Sequence, residues 1–221
     1  VGDNRNFGPE LIESMDVLSI LNSSSAVVLT NWASNLRGTD LLKYIFEKSP
    51  NSLHFLDPAD ISERRVEFIQ DLKNHSKLID LLSINENEYL QIIHALEDSE
   101  DRIVSDKNKN NLKTPLNLCK NVWFLSNFFK IDICIHTVIG SVWSNGYNTV
   151  FVNAITPSKI NIVSGAGDSW DSAFLFGHLL NFKNEEKLCF ANLVAFLYLE
   201  NFYNDTPSLR DIVNYIYNYY F

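Results

Sequence analysis

The sequence is poor in cysteine, in positive charge and in long apolar runs, and each shortage excludes a class of protein. Its 221 residues include three cysteines, 18 lysines and arginines, and 27 aspartates and glutamates, for a net charge of −9. Three widely spaced cysteines without a CxxC pair support neither a disulfide framework nor a zinc site, so we expect reduced core thiols in a cytoplasmic protein. The acidic balance argues against a nucleic-acid partner, because a polyanion needs a basic footprint. No apolar run reaches the roughly 18 residues of a membrane span and no signal peptide opens the chain, so no membrane partner is predicted.

What remains is an ordinary globular composition, with 46% hydrophobic and 20% charged residues. Apolar runs predict strands at residues 26–30, 53–57, 78–84, 131–137 and 159–163, the first of them buried on both faces. Helical spacing of apolar residues predicts helices at 9–21 (broken near Asp16), 41–46, 66–72, 89–96, 116–129, 169–180, 185–200 and 209–217. Alternation of the two indicates parallel βαβ units, Asn145-Gly146 predicts an antiparallel hairpin, and the polar stretch 98–113 is typical of a solvated connector.

The most informative stretch is G-A-G-D at residues 165–168, which we call the glycine turn. The predicted strand before it and helix after it would point unpaired backbone N–H groups at one spot, and that arrangement suits a phosphate. Asp168 has two interpretations. It either caps the helix or is a base beside a reacting phosphate.

A second junction of interest lies at Asn85, where a predicted strand meets a predicted helix. Asn85 can cap that helix, and the cap alone is a sufficient structural explanation. One helical turn later stands Glu88, so the two side chains would share a face and could address one hydrated cation. Both interpretations remain open from the residues.

The glycine turn within G-A-G-D-S-W-D-S-A-F, followed by F-A-N-L-V-A at residues 190–195, resembles the C-terminal signature of the ribokinase-like (PfkB) carbohydrate kinases. The resemblance implies a ribokinase-like three-layer α/β fold with a mostly parallel sheet, helices on both faces and an antiparallel hairpin. It implies a single domain over residues 1–221, in which the family's N-terminal half, with its paired glycines and lid, is not visible.

The same resemblance assigns roles to individual residues. Asp168 becomes the general base, and the amides of Gly165, Ala166 and Gly167 form the anion hole for the transferred phosphoryl group. Asn85 and Glu88 match the N-x-x-E motif that organises the hydration shell of Mg²⁺.

Three further residues are assigned to the nucleotide. Thr137 and Gly140 stand for the family's T-x-G segment, here one residue longer. Asn192 lies at the adenine side, with a polar residue at a helix–helix contact as its structural alternative. Among the five histidines, only His136, next to Thr137, is near these positions, and a packed strand-end residue is the simpler interpretation. A cluster of C-terminal tyrosines (Tyr215, Tyr217, Tyr219 and Tyr220) is expected to pack against the sheet.

The function that the resemblance implies is an ATP-dependent kinase that transfers the γ-phosphoryl group to a hydroxyl of a sugar or nucleoside, with a homodimer as the candidate assembly. The alternative is a catalytically silent relative that binds a nucleotide or a partner. Two departures from the family support this alternative: residues 162–164 read I-V-S where the family has D-T-T, and residues 57–60 read D-P-A-D where it has D-P-N-x-R.

Overall fold

The computed structural model describes residues 3–14, 17–98, 112–201 and 205–220. The predicted helix break near Asp16 and nearly all of the predicted connector at 98–113 therefore lie outside the described residues. The α-helices of the described ranges are α1 (Pro9–Ser14), α2 (Leu18–Ser23), α3 (Gly38–Glu47), α4 (Arg65–His75), α5 (Glu86–Asp98), α6 (Pro115–Phe129), α7 (Ala166–Leu179), α8 (Asn184–Glu200) and α9 (Leu209–Tyr220). The strands are β1 (Ala26–Thr30), β2 (Leu53–Asp57), β3 (Leu81–Asn85), β4 (Asp132–His136), β5 (Gly140–Ser144) and β6 (Thr149–Asn153).

The six strands form one sheet in the order β1-β2-β3-β4-β5-β6. Strands β1, β2 and β3 pair in parallel, with Ala26 opposite Leu53 and Phe55 opposite Leu81. The β4-β5-β6 part is antiparallel, and Gly146 turns the hairpin with a φ of 81°. The predicted α/β fold with a mostly parallel sheet and an antiparallel hairpin is confirmed. Within the described ranges, no helix is long and apolar enough to cross a membrane.

Two compact units divide the chain. Unit 1 comprises Val1–Ile135 and Ser144–Thr149, and unit 2 comprises His136–Trp143 and Val150–Phe221. The single domain inferred from the sequence stays a prediction. Unit 1 contains Asn85 and Glu88, whereas unit 2 contains the glycine turn, Thr137, Gly140 and Asn192.

The predicted strand at residues 159–163 is wrong. These residues form an irregular segment in which Ile160 and Val163 are 56% and 69% exposed. The backbone N–H of Asn161 donates to the carbonyl of Leu199 at 2.8 Å, and its side-chain amide donates to the carbonyl of Glu200 at 2.6 Å. The segment is therefore held by the end of α8 instead of by a neighbouring strand.

Two of the predicted strands differ in detail from the observed ones. Strand β1 was expected to be buried on both faces, but its burial alternates and Val28 is 46% exposed, since β1 is the end strand of the sheet. Strand β3 begins at Leu81, because Ser76–Leu78 forms a short 3₁₀ helix before it. Neither difference moves Asn85 from the end of β3.

The predictions of core cysteines and of tyrosines packed on the sheet are both corrected by the structure. All three cysteines are free, but Cys134 alone is a core residue, because Cys119 is half-buried and Cys189 is exposed on α8. Tyr215 packs on Phe196 of α8, with ring centroids 5.1 Å apart. Tyr215 thus meets a helix instead of the sheet, and Tyr217 and Tyr219 remain exposed. The side chain of Tyr220 lies outside the described residues.

Ala59 in unit 1 is strained, and this gives a stability prediction. Its φ is 58°, in the left-handed region that disfavours a Cβ, at the position where the resembled family has asparagine. Ala59→Gly is expected to raise the free energy of unfolding by about 0.5–1 kcal/mol, as measured by urea denaturation. Ala33 is similarly half-buried but is not among the positive-φ residues, so Ala33→Gly should lower that free energy. An equal loss at both positions would contradict the assignment of strain to Ala59.

Candidate active site

The glycine turn is formed by residues directly before and within the first turn of α7. Gly165 adopts a φ of 90° and stands at the N-cap, and α7 begins at Ala166, three residues earlier than the sequence predicted. Asp168 is therefore the third residue of the helix. The interpretation of Asp168 as the N-cap is wrong, because Gly165 occupies that position.

Some backbone N–H groups at this turn donate to a carbonyl of the protein, and others do not. The N–H of Ala166 donates to the carbonyl of Val163 at 3.1 Å, and that of Ser169 donates to Gly165 at 2.9 Å. Between them, the N–H groups of Gly167 and Asp168 meet no acceptor in the described part of the chain. Two adjacent free donors at the positive end of a helix form a site for an anion.

The carboxylate of Asp168 is exposed to solvent and has no hydrogen-bond or ion-pair partner among the described residues. Only its backbone carbonyl is used, as the acceptor for the hydroxyl of Ser172 at 2.7 Å. Nothing structural occupies this carboxylate, so it is free to accept a proton.

The two glycines of the turn differ in how much room each has for a side chain. A Cβ on Gly165 would lie 2.5 Å from the hydroxyl of Tyr198, which donates to the carbonyl of Ser164 at 2.8 Å. A Cβ on Gly167 would meet His136 at 3.4 Å, an ordinary contact distance. Packing therefore requires glycine at 165 but not at 167, where the missing side chain leaves room for a ligand.

Beside the turn lies a cavity of about 370 Å³, which we call the turn cavity. Ala166 and Gly167 form part of its wall, and apolar residues including Ile155, Phe196 and Leu199 line the rest. A mostly apolar cavity with a few polar groups and an anion site at its edge matches the general form of a small-molecule pocket.

Thr137 and Gly140 are brought together by the structure, but chiefly with each other. The hydroxyl of Thr137 donates to the carbonyl of Gly140 at 2.8 Å, and the backbone N–H of Thr137 donates to the same oxygen at 2.9 Å. Thr137 lines the turn cavity, whereas Gly140 does not. A Cβ on Gly140 would lie 2.4 Å from the carbonyl of Val152, so this glycine is explained by the close approach of β6.

Asn192 lines the turn cavity with a side chain whose polar atoms already have partners. Its Oδ1 accepts from the hydroxyl of Ser141 at 2.9 Å and from the indole N–H of Trp170 at 2.8 Å. Its Nδ2 donates to the carbonyl of Asn153 at 3.0 Å. Asn192 therefore ties α8 to α7, β5 and β6, which favours its structural interpretation over direct contact with adenine.

This network makes Asn192→Ala destabilising. The substitution leaves the hydroxyl of Ser141 and the indole N–H of Trp170 buried without their acceptor, and we expect a loss of about 2–4 kcal/mol in the free energy of unfolding. Ser141→Ala removes one donor and leaves Oδ1 of Asn192 bonded to the indole N–H of Trp170, so it should cost less than Asn192→Ala. Chemical denaturation of both variants measures the difference, and the reverse order would contradict the network.

In unit 1, Asn85 and Glu88 form a reciprocal cap at the start of α5. The Oδ1 of Asn85 accepts from the backbone N–H groups of Asn87 and Glu88 at 2.9 and 3.0 Å. The Oε1 and Oε2 of Glu88 accept from the side-chain and backbone N–H groups of Asn85, both at 2.8 Å. The predicted cap is confirmed, and the pair is a variant of the capping box.

The electrostatics around Glu88 bear on the proposed metal role. Burial, and then the nearby charges of Asp57 and Asp60, raise the pKa of Glu88 to about 8, against hydrogen bonds from Asn85 that lower it. The side chain is 4% exposed, and within the described ranges no group of three histidine, cysteine or acidic side chains could hold a metal ion. The pair does not fit direct ligation of Mg²⁺. With a pKa of about 8 the group is largely protonated near pH 7, and a cation nearby would favour its ionised form. As a carboxylate, each oxygen keeps a lone pair beyond its bond to Asn85, so the pair fits contact with the water shell of a hydrated ion.

His136 and Tyr198 were not assigned to the site from the sequence. His136 lines the turn cavity next to Gly167, with its ring centroid 5.1 Å from that of Trp170, and Tyr198 is the residue that holds the turn at Ser164. Their positions depend on how α7 and α8 pack, and no local pattern in the sequence marks them.

Comparison with solved structures identifies the fold as ribokinase-like. An adenosine kinase from Sinorhizobium meliloti matches with a TM-score of 0.71 and 19% sequence identity, over 95% of this chain and 58% of that one. A putative ribokinase II from E. coli, in complex with ATP and Mg²⁺, gives a TM-score of 0.65 and 16% identity over 91% and 61%. Ribokinase from Arabidopsis thaliana, complexed with ribose and ATP, gives 0.65 and 17% over 90% and 58%.

These structural matches establish the fold, and they confirm the expected ribokinase-like architecture. The chain spans about 60% of the length of the structures it matches. Scans against protein-family models and against curated proteins found no match.

Proposed function

We propose that the protein is an ATP-dependent kinase that transfers the γ-phosphoryl group to a hydroxyl of a sugar or nucleoside. The observation that carries the proposal is the open carboxylate of Asp168 beside the free amides of Gly167 and Asp168, at the edge of the turn cavity. An anion site needs the amides alone. A carboxylate held next to it is unfavourable for binding an anion and useful for accepting a proton.

The chemistry assigned to these residues is positioning plus electrostatics. Asp168 accepts the proton of the acceptor hydroxyl as its oxygen bonds to the γ-phosphorus and the bond to the β–γ bridging oxygen breaks, which releases ADP. The amides of Gly167 and Asp168 stabilise the charge on the transferred group. The apolar wall of the turn cavity excludes water from the nucleotide.

Asn85 and Glu88 would contribute through water. Mg²⁺, when bound, neutralises charge on the nucleotide phosphates, and in this protein Glu88 would accept hydrogen bonds from its water shell. Asn85 fixes the orientation of the Glu88 carboxylate with two hydrogen bonds.

The silent nucleotide-binding protein remains the second candidate, and one observation favours it. Where the resembled family has D-T-T, Val163 is 69% exposed and the carbonyls of Val163 and Ser164 accept from Ala166 and Tyr198. The side chains of this segment supply no carboxylate to a ligand.

Phosphorylation of an acceptor separates the two candidates. With ATP and Mg²⁺, a panel of sugars and nucleosides is tested for ADP release and for the phosphorylated product. The proposal predicts that at least one acceptor stimulates ADP release above the rate in its absence. If ATP binds and no member of the panel is phosphorylated, the silent protein is the better account.

A further inference from the structure

His136, the last residue of β4, lies directly against the glycine turn. A methyl group built on Gly167 would lie 3.4 Å from Cε1 and 3.7 Å from Nε2 of His136, so this edge of the imidazole faces Gly167. The residue lines the turn cavity and is half-buried. It thus stands beside the amides that would hold a phosphate.

The imidazole has no hydrogen-bond partner for either nitrogen among the described residues. The ring is half-buried, and its nitrogens are not among the fully buried polar atoms without a partner, so they open on the solvent of the cavity. Burial lowers the pKa of His136 to about 4, so the ring is neutral near pH 7 and carries one N–H. Because the protein supplies no partner for it, this ring edge is available to donate to an acceptor of a ligand that enters the cavity.

A chain of contacts fixes the ring at this place. The ring of His136 is tilted at 35° against the indole of Trp170, and the indole N–H donates to Asn192 at 2.8 Å. Asn192 is in turn held by Ser141 and by the carbonyl of Asn153. A side chain positioned in this way binds a ligand with little loss of conformational entropy.

We propose that His136 is a phosphate-binding residue, whose Nε2–H donates to a phosphate oxygen of the nucleotide held at the amides of Gly167 and Asp168. This inference rests on the proposed function for the identity of the ligand as a nucleotide. It concerns binding, and it does not require that the phosphoryl group be transferred.

The test compares ADP with adenosine, which has no phosphate. Affinities of both are measured by calorimetry for the unmodified chain, for His136→Phe, which keeps a ring without nitrogen, and for His136→Gln, which keeps an amide donor. We expect His136→Phe to bind ADP at least about ten-fold more weakly and adenosine within two-fold of the unmodified chain. His136→Gln should recover most of the ADP affinity.

The nitrogen itself can be observed in the unmodified protein with ¹⁵N-labelled histidine. Addition of ADP should shift the Nε2 resonance of His136, which is assigned by its absence in His136→Phe, or in His136→Gln if the first variant does not fold. Equal losses for ADP and adenosine, unchanged ADP affinity, or an Nε2 resonance that ADP does not move would overturn the inference. Failure of the proposed function gives a different result: if ADP binds through His136 but no acceptor is phosphorylated, the inference stands and the kinase does not. If the unmodified chain binds no ADP, both are rejected.

Discussion

Asp168→Asn is expected to lower the rate of phosphoryl transfer by about 10²–10⁴-fold and to leave the affinity for ATP nearly unchanged. The amide is the same size as the carboxylate but cannot accept the proton of the acceptor hydroxyl at neutral pH. The carboxylate makes no hydrogen bond within the described residues, so its replacement removes no structural contact. The measurement is ADP release with the best acceptor of the panel, together with calorimetric titration of ATP.

A matched control removes one negative charge elsewhere in the same unit. Glu185 is exposed near the start of α8 and does not line the turn cavity, so Glu185→Gln should change the rate less than two-fold. Removal of the charge of Asp168 should also favour the anionic nucleotide slightly. If Asp168→Asn retained the rate of the unmodified chain, or lost ATP binding in parallel with its activity, the role of Asp168 as the base would be contradicted.

The sequence predicts most of this fold because the pattern of each strand and helix is local. The apolar run at 53–57 and the helical spacing at 116–129 recover β2 and α6, and Asn145-Gly146 recovers the hairpin. The same logic fails at residues 159–163, which contain two isoleucines and a valine and yet form no strand. Local preference selects an extended backbone, whereas the hydrogen-bond partner, here the end of α8, depends on tertiary packing.

The candidate site divides in the same way. The glycine turn and the cap formed by Asn85 and Glu88 lie within a few residues of sequence, so spacing alone indicates them. The tie between Asn192 and Trp170 and the contact of His136 with Gly167 join distant elements, and no spacing rule reveals them. Sequence reasoning therefore locates the amides and the carboxylate of Asp168, but it misses the positions of His136 and Tyr198.

The same substitution is expected to cost much more stability at Gly165 than at Gly167. Gly165→Ala should lower the free energy of unfolding by about 2–5 kcal/mol, because alanine is strained at a φ of 90° and its Cβ would lie 2.5 Å from the hydroxyl of Tyr198. Gly167→Ala should change it by less than about 1 kcal/mol, because Gly167 lies in the first turn of α7 and its Cβ meets His136 at an ordinary 3.4 Å. Urea denaturation of both variants measures the contrast.

The loss in Gly165→Ala has two parts, and a double-mutant cycle with Tyr198→Phe separates them. Tyr198→Phe alone gives up the hydrogen bond to Ser164, at a cost of about 0.5–1.5 kcal/mol. In combination with Gly165→Ala it also removes the atom nearest to the new Cβ, so the two losses should sum to more than the double variant loses. Strictly additive losses would assign the whole effect to the backbone conformation.

Gly167→Ala, although folded, places its methyl group in the turn cavity beside the free amides, and we expect it to weaken ATP binding and phosphoryl transfer together. Loss of function without loss of stability at 167, and loss of stability at 165, would then distinguish the glycine that admits the ligand from the glycine that shapes the turn.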